Sequence, residues 1–319
     1  MSMEVLTNCP VVLNGWNLFQ QDAKTAELSS QMRPVWAAFA GETTPWSYQI
    51  DDDGLPNGKI VVVERSDISQ FDQMVELARE GAELPECLVA VALEGENFHG
   101  QSARPWNALR GNLHLTAILK GGFNAADLQE EISIVPTLAL MDALKVKADP
   151  AHHTGIRWLN DLFIKGRKVA GTLAASQLDG GVVESVTYGI GVNVDIVPDV
   201  PGDPFVPRAG SLKSTLPEAG WTVGKVLVEL IRSLGQRVIE LRSEVAEQLA
   251  TVYVRQSACI GEDVRVWARK VSDCSSEAPI ASGKLLAIHD DLSIRIEGHE
   301  QPITAGRLAF EADCRELGL

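Results

Sequence analysis

Three short apolar runs, at residues 162–164, 169–173 and 182–194, follow one another around glycine-bearing turns, and they constrain the fold more than anything else in the chain. The first two are too short for helices and flank Lys165-Gly166-Arg167, so they read as a β-hairpin. The third carries Gly189 and Gly191. A glycine inside a strand costs about 0.5–1 kcal/mol, which points to a place where another backbone or a ligand comes close. Such a hairpin would hold Asn160, Asp161 and Lys168 at neighbouring strand ends. Singly, each has an ordinary explanation. A lysine beside a hairpin turn can be a solvated edge residue, Asn160-Asp161 can be turn chemistry, and Gly189-x-Gly191 lacks the helix opening of a dinucleotide site.

In order and spacing, however, these residues resemble the biotin protein ligases. That family carries Lys-Trp-Pro-Asn-Asp, then a Gly-x-Lys-x-x-Gly hairpin, then a Gly-x-Gly-x-Asn strand. The counterparts here are Arg157-Trp158-Leu159-Asn160-Asp161, Gly166-Arg167-Lys168-Val169-Ala170-Gly171 and Gly189-Ile190-Gly191-Val192-Asn193. Upstream, Gly100-Gln101-Ser102-Ala103-Arg104-Pro105-Trp106 looks like the family's arginine-rich ligand loop. The family's loop is usually Gly-Arg-Gly-Arg-x-Gly-Arg-x-Trp; here Phe98 and Ala103 replace two glycines, and His99 and Gln101 replace two arginines. The family's Asp-Ser-Thr segment at the ligand pocket is matched to Arg65-Ser66-Asp67.

Charge narrows the partners. The net charge is −15 over 319 residues, a poor match to nucleic acid, which needs clustered Lys and Arg. The excess is uneven: residues 1–98 hold 5 Lys and Arg against 16 Asp and Glu, whereas residues 99–168 hold 9 against 6. The basic stretch is the one that carries the motifs, as a site for phosphates and a carboxylate would require. Five scattered cysteines without a Cys-x-x-Cys pair suit reduced thiols in a cytoplasm. No apolar run approaches the ~18 residues of a membrane span, and no signal peptide is expected.

The flanking segments set expectations for the fold. Residues 1–57 read as an extension packed on the core, with a turn at Asn14-Gly15 and a helix over 20–32. Strands are expected at 60–63, 87–93 and 112–119. A helix capped by Asp67 with Ile68, Phe71, Val75 and Ala78 on one face is expected after the first of these. Pro136 is expected to open a helix that runs to about Val146. The prolines at 198, 201, 204 and 207 make a stiff loop, and the stripe from Val223 to Leu249 a long amphipathic helix with a break near Arg242-Ser243. From Gly261 onward, short strands suggest a small barrel. The expected fold is therefore α+β: a mixed sheet with helices over 58–257, then a small domain over 258–319, which in the resembling family is an SH3-like barrel.

The resemblance implies ATP-dependent activation of biotin as an acyl-adenylate, with Mg²⁺, and transfer to a lysine of a biotin carboxyl carrier domain. Lipoate or octanoate with a lipoyl domain, or a non-catalytic sensor of an acyl-adenylate, are the alternatives; the chain would act as a monomer or homodimer. It implies Lys168 and Arg104 as catalytic residues. Ser66, Gly100, Gln101, Trp106 and Gly171 would bind the acid, Arg157, Asn160 and Asn193 the nucleotide, and Asp161 the metal.

Overall fold

A computed structural model describes residues 2–14, 16, 23–52, 54–124, 128–271 and 274–319. The chain opens with β1 (Ser2–Thr7) and a short helix α1 (Pro10–Asn14). Residues 11–13, expected to lead into a turn at Asn14-Gly15, are therefore helical, and Gly15 lies outside the described residues. The helix expected over 20–32 is also not where the sequence put it. Residues 20–22 lie outside the described set, Lys24–Thr25 is a two-residue strand, β2, and the helix, α2, runs over Met32–Ala40. The reason is periodicity: Met32, Val35, Trp36 and Phe39 form the buried stripe.

The strands β3 (Trp46–Asp51), β4 (Gly58–Ser66) and β5 (Cys87–Gly95) follow, with helix α3 (Gln70–Arg79) between the last two. Asp67 does not cap α3. Ser69 occupies that position, while the Asp67 carboxylate takes the Arg65 guanidinium at 3.0 Å. The buried face of α3 is built on Gln70 and Met74, and Ile68 is exposed. Next come β6 (Leu113–Asn124) and α4 (Gln129–Leu144). Pro136 lies inside α4 rather than at its start. The backbone bond lost there is offset by burial, since nearly every residue from Ile132 to Leu144 is packed.

The hairpin region gives β7 (Gly155–Arg157), β8 (Asp161–Ile164), β9 (Arg167–Asp179) and β10 (Val182–Val192). The β8–β9 turn is Lys165-Gly166, both at positive φ (51° and 71°), the geometry that two-residue hairpin loops favour. After α5 (Leu212–Thr215), the amphipathic stripe breaks where expected, into α6 (Val223–Leu241) and α7 (Gln248–Arg255). The chain ends in β11 (Asp263–Trp267), β12 (Ala281–Ile288), β13 (Ile294–Ile296), β14 (Arg307–Phe310) and α8 (Glu311–Glu316). The strand expected from Ile303 is reduced to a bridge at Ile303, and the ladder resumes only at Arg307.

Among the described residues ten strands form one sheet, β2-β3-β1-β4-β5-β6-β10-β9-β8-β7, and β13-β12-β11-β14 form a second, antiparallel sheet. The fold is thus mixed α+β. In the large sheet β1 pairs in parallel with β4, and β4 with β5; the remaining named pairings are antiparallel. One face of this sheet, carrying Val89, Val91, Leu115, Tyr188 and Ile190, packs in the core that includes α4, α6 and α7. The opposite face is covered only in part. Leu88, Ala90, Ala92 and Ile118 pack in a second core with α2 and α3. Beyond them the same face presents His114, Thr116, Gly189 and Gly191, and there a cavity opens.

Candidate functional site

The cavity holds about 410 Å³, within the range of small-molecule sites. Its floor is β6, β9 and β10. Its walls are the first turn of α3, the loop over 98–106 and the proline-rich loop over 198–209, with Arg307 reaching in from β14. Among the described residues no group of three or more His, Cys, Asp or Glu is gathered to hold a metal.

Lys168 and Gly171 both line the floor although they stand three positions apart. In a regular strand that spacing would put them on opposite faces. The β8–β9 ladder shifts register between Leu162 and Phe163: Leu162 pairs with Ala170 and Phe163 with Lys168, which leaves Val169 extra. This bulge turns Lys168 onto the face that carries Gly171. The Lys168 backbone is fixed on its other side by the proline-rich loop, donating to the Arg208 carbonyl (3.0 Å) and accepting from the Gly210 N–H (2.9 Å). Its ammonium lies 2.7 Å from Asp161 Oδ2, with side chains 14% and 16% exposed. A Cβ at Gly171 would sit 3.2 Å from Asp161 Oδ1 and 3.6 Å from Lys168 Nζ. The glycine is what lets this pair lie flat on the strand.

The loop over 98–106 is closed by its own backbone: Gly100 N–H donates to the Arg104 carbonyl (2.7 Å) and Trp106 N–H to the Phe98 carbonyl (2.9 Å). Arg104 Nε donates to the Gln101 carbonyl at 2.8 Å. Ala103, standing where the resembling family has glycine, has φ of +56°. A side chain costs about 1 kcal/mol or more in that region, so Ala103→Gly is expected to stabilise the loop by roughly 1 kcal/mol, less the extra chain entropy of glycine. A lower melting temperature for that variant would contradict this. His99 stands where the family has arginine. Its Nδ1 bonds to the Gly100 carbonyl (3.1 Å) and its Nε2 to Asp72 Oδ2 (2.8 Å). Burial lowers its pKa, but the Asp72 carboxylate and the Gly100 carbonyl outweigh that and the net shift is upward. The loop is therefore tied to α3 by a histidine that can carry the missing charge.

Trp106 lies over Gly191, where a Cβ would come within 2.5 Å of the indole. Phe71 fills the corresponding place over Gly189, 2.9 Å from a Cβ there. The Trp106 Nε1–H points at His114 Nδ1 (3.3 Å), and His114 Nε2 lies 3.2 Å from the Leu109 carbonyl. This arrangement suits a neutral imidazole that donates from Nε2 and accepts at Nδ1. Burial pushes the His114 pKa down to about 4, against a partial offset from the Leu109 bond. The sign follows: between pH 6.5 and about 4 the unfolded chain binds a proton that the folded chain refuses. Stability associated with His114 is therefore complete above pH 6.5 and lost toward pH 4, by about 3 kcal/mol for this shift. His114→Gln is expected to flatten the acid limb of a denaturation-midpoint-versus-pH curve; an unchanged limb would refute it.

Of the residues named from sequence, Lys168, Arg104, Gly100, Gln101, Trp106, Gly171, Asn160, Asn193 and Asp161 line this cavity, and Ser66 and Arg157 do not. Ser66 ends β4 and turns its hydroxyl back onto the Ile68 carbonyl at 2.7 Å. The hydroxyl that reaches the cavity from this segment is that of Ser69, three residues on. The position before an amphipathic helix was the signal for it. Arg157 is held between the rings of Phe163 and Phe310, 3.8 and 4.0 Å from their centroids, and is paired with Asp313 at 2.9 Å. It is not free to close around a phosphate as sequence reasoning had it. Asn193 Nδ2 donates to the Gly210 carbonyl (2.9 Å) and Asn160 Nδ2 to the Thr172 carbonyl. Both amides brace the strands that frame the site. Phe71, His114, Asp203 and Arg307 were missed, since their segments carry no local motif.

The site is thus a glycine-floored sheet with a cavity-facing lysine on the hairpin strand. Residues 94–193 match the model of the Biotin/lipoate A/B protein ligase family. A "Biotin--[acetyl-CoA-carboxylase] ligase" of Paracoccus denitrificans is 41% identical over 114 residues, 34% of this chain and 46% of that protein. Another of the same name from Mycobacterium tuberculosis is 29% identical over 59% of this chain and 67% of its own length. The match to the Paracoccus protein thus spans about half of that relative. Among solved structures, the biotin protein ligase from Aquifex aeolicus in complex with biotin and ATP superposes with a TM-score of 0.57 at 19% identity, covering 79% of this chain and 98% of the other. The chain therefore resembles biotin protein ligases in sequence over its central segment and in fold over most of its length.

Proposed function

We propose that the protein activates biotin with ATP and transfers it to a lysine of a biotin carboxyl carrier domain. The acid's carboxylate oxygen would bond to the α-phosphorus while the α–β bridging bond breaks, its electron pair leaving with pyrophosphate. The carrier's lysine amine then attacks the acyl carbon, AMP leaves and the amine gives up a proton. What supports this reading most is Lys168 on the cavity floor beside Gly171, 2.7 Å from Asp161. A cation with rotatable donors suits oxygens that move relative to each other during phosphoryl attack. The neutral Trp106–His114 pair, the Ser69 and Thr116 hydroxyls, and the apolar Phe71, Phe98 and Leu173 offer an acid both polar and greasy contacts. A polar-headed acid such as biotin fits these groups better than a plain fatty acid.

Asp161 and Asp203 are the carboxylates lining the cavity. That donor set suits Mg²⁺ carried in by the nucleotide, since this ion takes one or two carboxylates beside phosphate oxygens. When bound it would neutralise charge on the phosphates. On this reading residues 58–257 are the catalytic domain with 1–57 as its extension, and 258–319 an SH3-like module. Cys9, Cys87, Cys259 and Cys314 are free thiols, in keeping with a cytoplasmic site of action. Among the described residues no helix is long and apolar enough to cross a membrane.

ATP–pyrophosphate exchange with Mg²⁺ and biotin, lipoate or octanoate offered separately tests the proposal. Exchange with biotin alone is expected. Exchange with lipoate or octanoate alone would replace the acid, and nucleotide binding without any exchange would make the protein a sensor.

A further inference from the structure

The loop over 98–106 forms one wall of the cavity, and it meets two histidines in opposite settings. His114, on β6, accepts from Trp106 at Nδ1 and donates from Nε2, an arrangement for a neutral ring. His99, within the loop, faces acceptors with both nitrogens. Its Nδ1 lies 3.1 Å from the Gly100 carbonyl and its Nε2 2.8 Å from Asp72 Oδ2. A neutral imidazole carries one N–H and can make only one of these bonds, whereas an imidazolium makes both. Asn97 Nδ2 also donates to the Asp67 carbonyl (2.9 Å), and the Phe98 ring meets His114 edge-on, 5.8 Å between centroids. Neither of those contacts depends on charge. Ser102 and Ala103 both hold φ at +56°, a region that costs energy for residues with a side chain. The closed loop is thus a strained form that its ties hold down.

We propose that His99 and Asp72 form a latch set by pH: the imidazolium holds the loop on α3 and slows release of what the cavity binds, and the neutral ring lets the loop lift. Naming that ligand as biotin and its adenylate rests on the reading above. His99 acts through the loop, so it is a positioning residue. Asp72 stands in the first turn of α3, the part of that helix whose Ser69 and Phe71 side also lines the cavity. The sign follows from the groups around the ring. Burial works against the charged form, but the Asp72 carboxylate and the Gly100 carbonyl outweigh it, so the His99 pKa is raised. The latch is therefore complete below the ordinary histidine value of 6.5 and is lost as pH rises through the raised value. The other charged groups that flank the loop or line the cavity are paired: Asp67 and Glu96 with Arg65, Asp161 with Lys168, Asp203 with Arg307. Arg104, on the loop itself, donates to the Gln101 carbonyl. His114 titrates at about 4 and stays neutral where His99 changes. The residue standing where the resembling family has arginine thus keeps the charge but makes it conditional.

The latch is read in the ligand-free protein by hydrogen exchange of the Gly100 and Trp106 amides, which the closed loop bonds to the Arg104 and Phe98 carbonyls. Their protection factors are expected to fall roughly three- to fivefold as pH rises from about 6 to about 8.5, the scale of one part-exposed ion pair. The midpoint should move to lower pH in Asp72→Asn, and the dependence should vanish in His99→Arg, whose charge is permanent. Biotin release, followed by stopped flow over the same range, should quicken by a similar factor in the parent and stay slow and flat in His99→Arg. His99→Gln should release biotin fast at every pH. A histidine with a merely structural role would leave Asp72→Asn with the parent's midpoint, and that result would overturn the proposal. So would protection in the parent that ignores pH, or biotin release that ignores pH while protection titrates. Failure of the parent to bind biotin at any pH, with protection titrating as expected, would support the latch and remove the acid.

Discussion

Lys168→Ala is expected to lower the rate of biotin-dependent ATP–pyrophosphate exchange by about 10²–10³-fold, the loss that follows removal of one preorganised donor at a developing oxyanion. The effect should fall on kcat more than on KM if the ammonium meets the phosphate oxygens chiefly in the transition state. Lys168→Arg is not expected to restore the rate, because a planar fork cannot follow two moving oxygens as a rotating ammonium does. The fold should survive, since the backbone of Lys168 is held by Arg208 and Gly210 whatever its side chain. Asp161 loses its partner, but at 16% exposed it can draw water. Undiminished exchange by a folded Lys168→Ala protein would remove the central role assigned to this residue.

Gly191→Ala should be the more disruptive change for the acid. The new Cβ would sit 2.5 Å from Cε2 and Cζ2 of Trp106 and 2.9 Å from its Nε1, so the indole must move. Its hydrogen bond to His114 then goes, leaving a buried ring nitrogen unpartnered at about 1–3 kcal/mol. Packing strain of similar size adds to this, and a displaced wall should weaken retention of the acyl-adenylate by an order of magnitude or more. Denaturant midpoints and the release rate of adenylate measure the two effects. A double-mutant cycle with Trp106→Ala isolates the cause: the cost of the alanine should largely vanish once the indole is gone. If that cost is the same in both backgrounds, the account of Gly191 is wrong.

The hairpin at Lys165-Gly166 and the glycine-bearing strand were legible because turn chemistry and strand periodicity are local. So was the break in the long helix near Arg242-Ser243, which falls between α6 and α7. What escaped was decided by partners distant in the chain. Ser66 was matched to the ligand pocket, but it is Ser69, at the start of α3, that lines the cavity. Asp67 stands two positions before Ser69, which occupies the cap position of α3, and its carboxylate pairs with Arg65. Arg157 looked free until Phe310 and Asp313, some 150 positions later, closed around it. The bulge at Val169 has no residue signature of its own, yet it explains why Lys168 and Gly171 work at an odd spacing. Arg307 reaches the cavity from a segment without any motif.

The strand Ser2–Thr7 is flanked on both sides by strands made later, β3 and β4. Without it, the run Ile60 to Val63, wholly buried as things stand, would present an unzipped ladder of amides and carbonyls on four successive apolar residues. Such a border invites pairing with a second molecule. The first strand is therefore a seam as well as a core element, and it keeps the sheet from being continued by a neighbour's.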